Sequence, residues 1–481
     1  MSFSIIIITS VIFFAVIILY SYLKRSYDVS LVLIFLFNIF SKSICIPLLY
    51  LHTWDERFHA LVAKNLIQNP LKPVLISENL LQLDFKDWAC NYIWLSKPPL
   101  ALWNIALSIN FFGNNEFGLR LPSVIISTIS VYLTYKICIL LYNKNLAVLA
   151  AYFHAFNGLF LDVATGRVSS DHTDTLFVLL TQISFYYLLR YFKEDKAINI
   201  CYSSFWCGLS FLCKWIMSLF VPIIFFILLS FFTTNIKKIL FNISIFTIIF
   251  LIMVLPWLIF SYYSYPVEAE YMYRQIFKPV STVIHQHDGA FYYYLNSIRI
   301  NFHELIYIPL IFVIYYSIVR KDYSRFLLLI WIFVPMLVLS CMSTKRQIYM
   351  LVSSTPFYIL LALFLRYLNI LKYKLSFNHK FFINIFVILA LLLPVRYNLE
   401  RIKPFENRFL KPQWREQMEV FVNEYKSDMN NIILVNEPKY IEARFYYDIK
   451  AYNYLSEIQI EKFKNMNFKI FYNNDGIYTK L

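Results

Sequence analysis

The sequence predicts an all-α polytopic membrane protein of about 11–13 transmembrane helices, with interfacial helices beside them and a small α/β domain after them. Three observations predict that class. Of 481 residues, 59% are hydrophobic and only 15% charged, where soluble domains carry about 25%. Apolar runs of ~17–25 residues recur, with no period-two pattern of barrel strands. Basic residues fall in every second connection between those runs, as the positive-inside rule requires of cytoplasmic loops. Those loops account for the net charge of +15, and no nucleic-acid-binding module is recognisable.

The first run, FSIIIITSVIFFAVIILY, has neither a basic n-region nor a small-residue cleavage site. It predicts a retained span, not a removed signal peptide. Further spans are expected near 29–51, 118–141, 145–164, 174–192, 197–213, 216–232, 238–261, 304–319, 326–341, 349–366 and 380–398, about twelve in all. The cytoplasmic connections are marked by Lys24 and Arg25, Lys136 and Lys144, Arg190, Lys193 and Lys196, and Lys237 and Lys238. Arg320, Lys321 and Arg325, then Arg366, Lys372, Lys374 and Lys380, continue the series. Both chain ends and the long connections 52–117 and 262–303 then lie outside a plasma (inner) membrane. Residues 1–398 are expected to form the membrane domain. Residues 399–481 mix helix-like (WREQMEVFVNEYKS) and strand-like (NIILV, FKIFY) stretches, and are expected to form an extracytoplasmic α/β domain. Seven cysteines are scattered without a CxxC pair, which argues against a disulfide framework or a zinc knuckle.

Long connections on one face suggest chemistry there. WDERFHA places Asp55 and Glu56 where the second span leaves the bilayer. Thr53 followed by Glu56 reads as a capping box, with Asp55 in the first helical turn, where the dipole favours an anion. A carboxylate so placed can also take a proton from a hydroxyl. Five cations break the positive-inside pattern: Lys97 in WLSKPPLALW, Arg167 in ATGRVSSDHTD, Lys214 in FLCKWIM, and Lys345 and Arg346 in MSTKRQIYM. Each is costly at the bilayer surface unless it pairs with Asp or Glu, or meets a lipid phosphate. Their recurrence on one face favours the phosphate, whose departure clustered Lys and Arg stabilise. Pro98 and Pro99 hold Ser96 and Lys97 extended. LALWNIALSINFF after them suits an interfacial helix, with Trp88, Trp94 and Trp103 as anchors. In HQHD, His285 and His287 are weak metal candidates, since two histidines at i, i+2 in a loop more often bind none.

In order and spacing these motifs resemble the membrane glycosyltransferases of the GT-C fold. The likeness is to the dolichyl-phosphate-mannose protein mannosyltransferases and the lipid A aminoarabinose transferases. It rests on WDERFHA, KPPLALW, NEFGLRLPS, GRVSSDHTDTLF, GLSFLCKW and KRQIYMLVSSTPF, within residues 48–360. The resemblance implies a donor sugar linked to polyprenyl phosphate, and a glycolipid, protein or glycan acceptor at the outer face. It makes Asp55 the catalytic base, with Glu56 in support. Lys97, Arg167, Lys345, Arg346 and Tyr349 match positions at the donor phosphate, and Asp171 and His59 would face the rest of the cavity. The aminoarabinose transferases usually carry a glutamate before Lys-Pro-Pro; Ser96 stands there, which counts against that branch and against a metal built on that glutamate. No cofactor is expected to be required, because Lys and Arg can neutralise a single phosphate where a divalent metal would otherwise serve. A single displacement would invert the anomeric carbon. The alternatives are a lipid-linked glycan flippase, with ionisable residues deep in its spans, or an oligosaccharide polymerase or ligase. The latter would carry paired arginines in a late outer loop, where 262–303 holds only Arg274 and Arg299.

Overall fold

The structure, a computed structural model, describes residues 3–78, 81, 84, 91–168, 172–320, 322–375, 377–403 and 410–481. In chain order its first helices are α1 Phe3–Leu23, α2 Tyr27–Ser43, α3 Asp55–Leu66, α4 Pro99–Phe112, α5 Glu116–Leu141, α6 Lys144–Ala155, α7 Gly158–Ala164 and α8 His172–Glu194. Then come α9 Ala197–Lys214, α10 Phe220–Phe232, α11 Ile236–Ser264, α12 Pro266–Ser281, α13 Tyr293–Asn301, α14 Tyr307–Arg320, α15 Tyr323–Cys341, α16 Ser354–Leu371 and α17 Phe377–Ile402. The tail holds α18 Gln413–Glu424, α19 Tyr440–Tyr447 and α20 Glu457–Asn465, with strands β1 Ile432–Val435, β2 Lys450–Ala451, β3 Lys469–Asn474 and β4 Ile477–Lys480.

Each run expected to span contains a helix, although the second, expected over 29–51, stops at Ser43. By length and apolarity, eight helices among the described residues can cross a membrane, or nine if the bent pair α6–α7 is one span. The difference from about twelve has physical causes. α2 and α14 have 17 and 14 residues, short of the ~20 that a bilayer core requires of an upright helix. α6 and α7 meet at 57°, where Phe156 closes the first helix and Asn157 caps the next by accepting the Phe160 N–H at 2.8 Å. α9 and α10 form one 36-residue stretch, interrupted by a 3₁₀ turn at Trp215–Leu219. Trp215 takes a left-handed φ of 46° there, which breaks the helix.

The chain folds as two compact units. The first comprises Met1–Ile44, Ser123–Thr165 and Thr173–Glu406 and holds the long apolar helices. Several of its buried polar groups are bonded from helix to helix, as an apolar solvent favours. The Asn38 amide donates to the hydroxyls of Ser127 and Thr128 at 3.2 and 2.9 Å. Gln182 donates to Thr134 and Thr355 at 3.1 and 2.7 Å and accepts from Ser130 at 2.6 Å. Outward positions carry exposed Phe13, Val16, Ile252 and Phe382, a surface suited to acyl chains.

The second unit comprises Cys45–Pro122, Gly166–His172 and Asn407–Leu481. Its sheet has the order β2-β1-β3-β4, parallel between β1 and both neighbours and antiparallel between β3 and β4. β1 is buried along its whole length, as a central parallel strand written IILV should be. The expected tail domain does not close on its own core. One cluster joins Phe58, Leu61 and Leu102 of α3 and α4 to Phe421, Ile433, Leu434, Ile441 and Phe445 of the tail. Polar ties reinforce it. Lys64 Nζ donates to the carbonyls of Arg444 and Phe445 at 2.8 and 2.7 Å and pairs with Asp448 at 2.7 Å. Glu116 accepts from Arg415 at 2.8 Å and Tyr446 at 2.7 Å. α4 starts at Pro99, with Pro98 extended before it, as proline at a helix N-terminus predicts.

Candidate active site

Both units carry residues singled out by the sequence. In the second unit α3 begins at Asp55, and the predicted capping box is absent: Trp54 occupies the N-cap position and no side chain caps the turn. A distant partner has taken the Glu56 carboxylate instead. Glu56 is fully buried and accepts from Arg120 Nε at 2.8 Å, Arg120 Nη2 at 3.1 Å and the His52 N–H at 2.6 Å. His172 Nε2 lies 3.1 Å from Oε1. Arg120, also fully buried, spends its remaining donors on the carbonyls of Ile46, Leu48 and Tyr50 at 3.0, 2.8 and 2.5 Å.

Gly166 lies against the same carboxylate with φ +66°, and a methyl group there would overlap it. Burial pushes the Glu56 carboxyl up, but the Arg120 charge, with the bonds from His172 and Arg120, outweighs it and holds the group below its ordinary value. Four contacts from three residues occupy its two oxygens, which leaves no room to accept a substrate proton. Glu56 is thus a positioning residue that fixes the turn bearing its neighbour.

That neighbour is Asp55, 26% exposed at its side chain and 3.4 Å from Lys97 Nζ. Pairing, the simpler of the two explanations for an outer cation, therefore holds for Lys97, and it places a positive charge beside an accessible carboxylate. Arg167 brings Nη1 to 3.8 Å from Cys45 Sγ. His59 does not face a cavity. It is fully buried, its ring edge-on to Trp94 at 5.5 Å, because α3 is buried on nearly every side past its first turn. Trp94 is likewise core and not an interfacial anchor, while Trp103 Nε1 donates to the Pro70 carbonyl at 2.7 Å. Asp171 and Trp88 lie outside the described residues.

In the first unit Lys214 pairs with Asp174 and sits 5.6 Å from the centre of the Tyr349 ring and 5.7 Å from that of Phe177. Lys345 is buried, with Nζ donating to the Met342 carbonyl at 2.7 Å. No described carboxylate lies within 4.0 Å of Lys345 or Arg346. Backbone bonds fix their segment: Lys345 N–H to the His287 carbonyl at 2.8 Å, Ile284 N–H to Thr344 Oγ1 at 3.0 Å, and Arg346 N–H to the Tyr294 hydroxyl at 3.2 Å. Two successive left-handed residues, His285 (φ 50°) and Gln286 (φ 59°), turn the chain there. Burial, and after it the neighbouring Arg346 charge, lower His287 and so favour its neutral imidazole. Among the described residues no three His, Cys, Asp or Glu side chains converge as metal ligands, so the His285/His287 pair gains no third ligand there.

Sequence reasoning missed Arg120, His172 and Asp174 as site residues. The signal for Arg120 was present: a cation inside the apolar run NEFGLRLPS is as costly as the five cations that were singled out.

Comparison with known proteins bears on the fold. The family profile described as dolichyl-phosphate-mannose-protein mannosyltransferase matches residues 96–260. The undecaprenyl phosphate-alpha-4-amino-4-deoxy-L-arabinose arabinosyl transferase of Pseudomonas savastanoi is 23% identical over 271 residues, covering 56% of this chain and 51% of its own. The chain spans about half the length of the curated relatives it matches. The crystal structure of ArnT from Cupriavidus metallidurans in the apo state superposes with a TM-score of 0.66 at 11% identity, over 94% of each chain. Its form bound to undecaprenyl phosphate gives 0.66 at 10% identity, over 90% of this chain and 87% of that one. The apo oligosaccharyltransferase of Archaeoglobus fulgidus gives 0.60 at 12% identity, over 94% of this chain and 70% of its own. The chain is a polytopic membrane protein of the GT-C fold, similar to the dolichyl-phosphate-mannose protein mannosyltransferases and the aminoarabinose transferases.

Proposed function

We propose that this chain is an integral-membrane glycosyltransferase that moves a sugar from a polyprenyl-phosphate donor to an acceptor hydroxyl at the outer face of the plasma membrane, with its α/β tail on that side. The observation that carries the reading is the partly exposed Asp55, 3.4 Å from Lys97, on a turn fixed by the buried Glu56 beside it. Undecaprenyl phosphate bound to ArnT, a protein of the same fold, supports the choice of donor class.

The acceptor oxygen attacks the anomeric carbon while the bond from that carbon to the phosphate oxygen breaks. The bonding electrons leave with the phosphate, and the hydroxyl proton passes to Asp55. One displacement inverts the anomeric centre. Lys97, beside Asp55, supplies positive charge to the departing phosphate; by the family resemblance Arg167, Lys345, Arg346 and Tyr349 are the further candidates for binding the donor. Because the donor carries one phosphate, these cations suffice without a divalent metal. The test compares wild type with Asp55→Asn, measuring sugar transfer and, separately, undecaprenyl phosphate binding. Transfer should fall by ~10²–10⁴-fold while binding persists. Wild-type turnover by the folded variant would overturn the assignment.

A further inference from the structure

The basic connections on the predicted cytoplasmic side of the first unit are not alike. In several of them acids meet the bases: Lys144 pairs with Asp28 at 2.7 Å, Arg190 with Glu194 at 2.8 Å, Lys238 with Asp195 at 2.7 Å and Arg325 with Asp322 at 3.4 Å. The α1–α2 and α16–α17 connections differ. Lys24, Arg25, Arg366, Lys372, Lys374 and Lys380 have no described carboxylate within 4.0 Å. The sequence supplies the reason. Between Asp322 and Glu400 the chain has no Asp or Glu, and Asp28, close to Arg25 in sequence, is taken by Lys144.

The two connections are held together and held still. Arg366, exposed near the end of α16, stands within electrostatic reach of the Tyr22 hydroxyl, which itself donates to Asn145. Arg25 turns the chain with a left-handed φ of 60°, and the Ser26 N–H closes that turn on the Ser21 carbonyl at 3.0 Å. Lys372 and Lys374 lie on a 3₁₀ turn.

The neighbours of these cations set their depth. Leu23 beside Lys24, Ile370 and Tyr373 beside Lys372, and Phe381 beside Lys380 are all exposed, as side chains in contact with acyl chains are. Lysine and arginine at such helix ends lay their stems on apolar surface and put their charge among the headgroups. Four to eight cations gathered there attract anionic lipid. Orienting the chain does not by itself require this, since the paired cations of the other connections mark the same side. A soluble acidic partner would need charges that project past the apolar rim.

We propose that the α1–α2 and α16–α17 connections form a docking surface for the phosphate headgroups of anionic phospholipids in the cytoplasmic leaflet. The proposal rests on the orientation read from the basic connections and is independent of the sugar transferred.

The test titrates purified protein in neutral-detergent micelles with fluorescent phosphatidylglycerol or phosphatidylcholine. Phosphatidylglycerol should bind more tightly. Lys372→Gln/Lys374→Gln/Lys380→Gln should weaken it ~100-fold, from about fivefold per cation, and leave phosphatidylcholine unchanged. Lys193→Gln/Lys196→Gln/Lys237→Gln removes the same charge from connections that carry Glu194 and Asp195, and should stay near the wild-type affinity. Equal affinity for the two lipids, or an equal fall in both triple variants, would overturn the headgroup assignment and leave the orientation standing. Displacement of the lipid by excess inorganic phosphate, but not by chloride at the same ionic strength, would overturn it in favour of a soluble anion. In sealed cells Lys374→Cys should resist a membrane-impermeant maleimide. Labelling above that of the unsubstituted protein would put this end outside and overturn the leaflet assignment.

Discussion

Replacing Glu56 by glutamine keeps the outline of the side chain and removes its charge. The wild-type carboxylate accepts two bonds from Arg120, at 2.8 and 3.1 Å, with both side chains fully buried. Glutamine offers one accepting oxygen, and its amide NH₂ then faces a donor, so Arg120 is left as a buried cation held only by the carbonyls of Ile46, Leu48 and Tyr50. Breaking a buried pair by removing one partner costs about 3–5 kcal/mol, whereas losing a capping residue costs ~0.5–2 kcal/mol. Equilibrium unfolding in mixed micelles, titrated with SDS, separates the two ranges. The double variant Glu56→Gln/Arg120→Met should be less destabilised than the sum of the singles, since it removes the orphaned charge. The pH dependence gives a second check. Because the folded Glu56 value is depressed, its contribution is fully present above the unfolded value and is lost as pH falls through the folded one. Wild type should therefore show an acid limb, below the ordinary carboxylate range, that the variant lacks. A loss under ~1 kcal/mol, or strict additivity of the two substitutions, would refute the buried-pair account.

Four further outcomes are expected. Gly166→Ala should destabilise by at least about 1–2 kcal/mol, from the left-handed backbone alone, with a further loss of transfer as Glu56 is displaced; unfolding and activity assays together check this. The Glu442 carboxyl is buried and lies 3.6 Å from Arg57 and from Lys439; burial outweighs those cations and raises it above its ordinary 4.5. A raised carboxyl makes stability fall as pH climbs above 4.5, so Glu442→Gln should flatten that slope in stability measured from pH 4 to 8. Arg346→Ala should weaken undecaprenyl phosphate binding, while Lys237→Ala, a residue of the predicted cytoplasmic loops, should not; equal effects would indicate general electrostatics. Exhaustive EDTA treatment should leave transfer largely intact, and full loss rescued by one divalent ion would reveal a metal centre.

The helices were legible because apolar runs declare themselves locally. α4 after the two prolines, α18 in WREQMEVFVNEYKS, β1 in NIILV and β3 near FKIFY all fall where their residue types put them. The pairings were not legible. Thr53 and Glu56 have capping-box spacing, yet the carboxylate goes to an arginine 64 residues away, and no local rule weighs a distant guanidinium against a nearby N–H. Lys97 was visible as a misplaced cation, but its partner Asp55 lies across a connection whose path only the fold reveals. Lys214 and Asp174 repeat the lesson. His59 sits one helical turn after Asp55 on the same face of α3, but the helix is buried on nearly every side past its first turn, so proximity in the motif did not mean proximity to solvent. β2 has two residues and β4 four, lengths too short to read as alternation.

The second unit is assembled from pieces made at different times. Ribosomes deliver Cys45–Pro122 early, thread the whole membrane stretch between 123 and 406, and only then release Asn407–Leu481. Until that last stretch emerges, Phe58, Leu61 and Leu102 lack the Phe421, Ile433 and Phe445 side chains that share their core. Lys64 also waits for the carbonyls and the Asp448 that anchor it. A nascent chain can thus insert all its membrane helices and still hold α3 uncovered. The helix bearing Asp55 acquires its packing late in translation, so stalled or C-terminally nicked chains would reach the bilayer without a finished support for it.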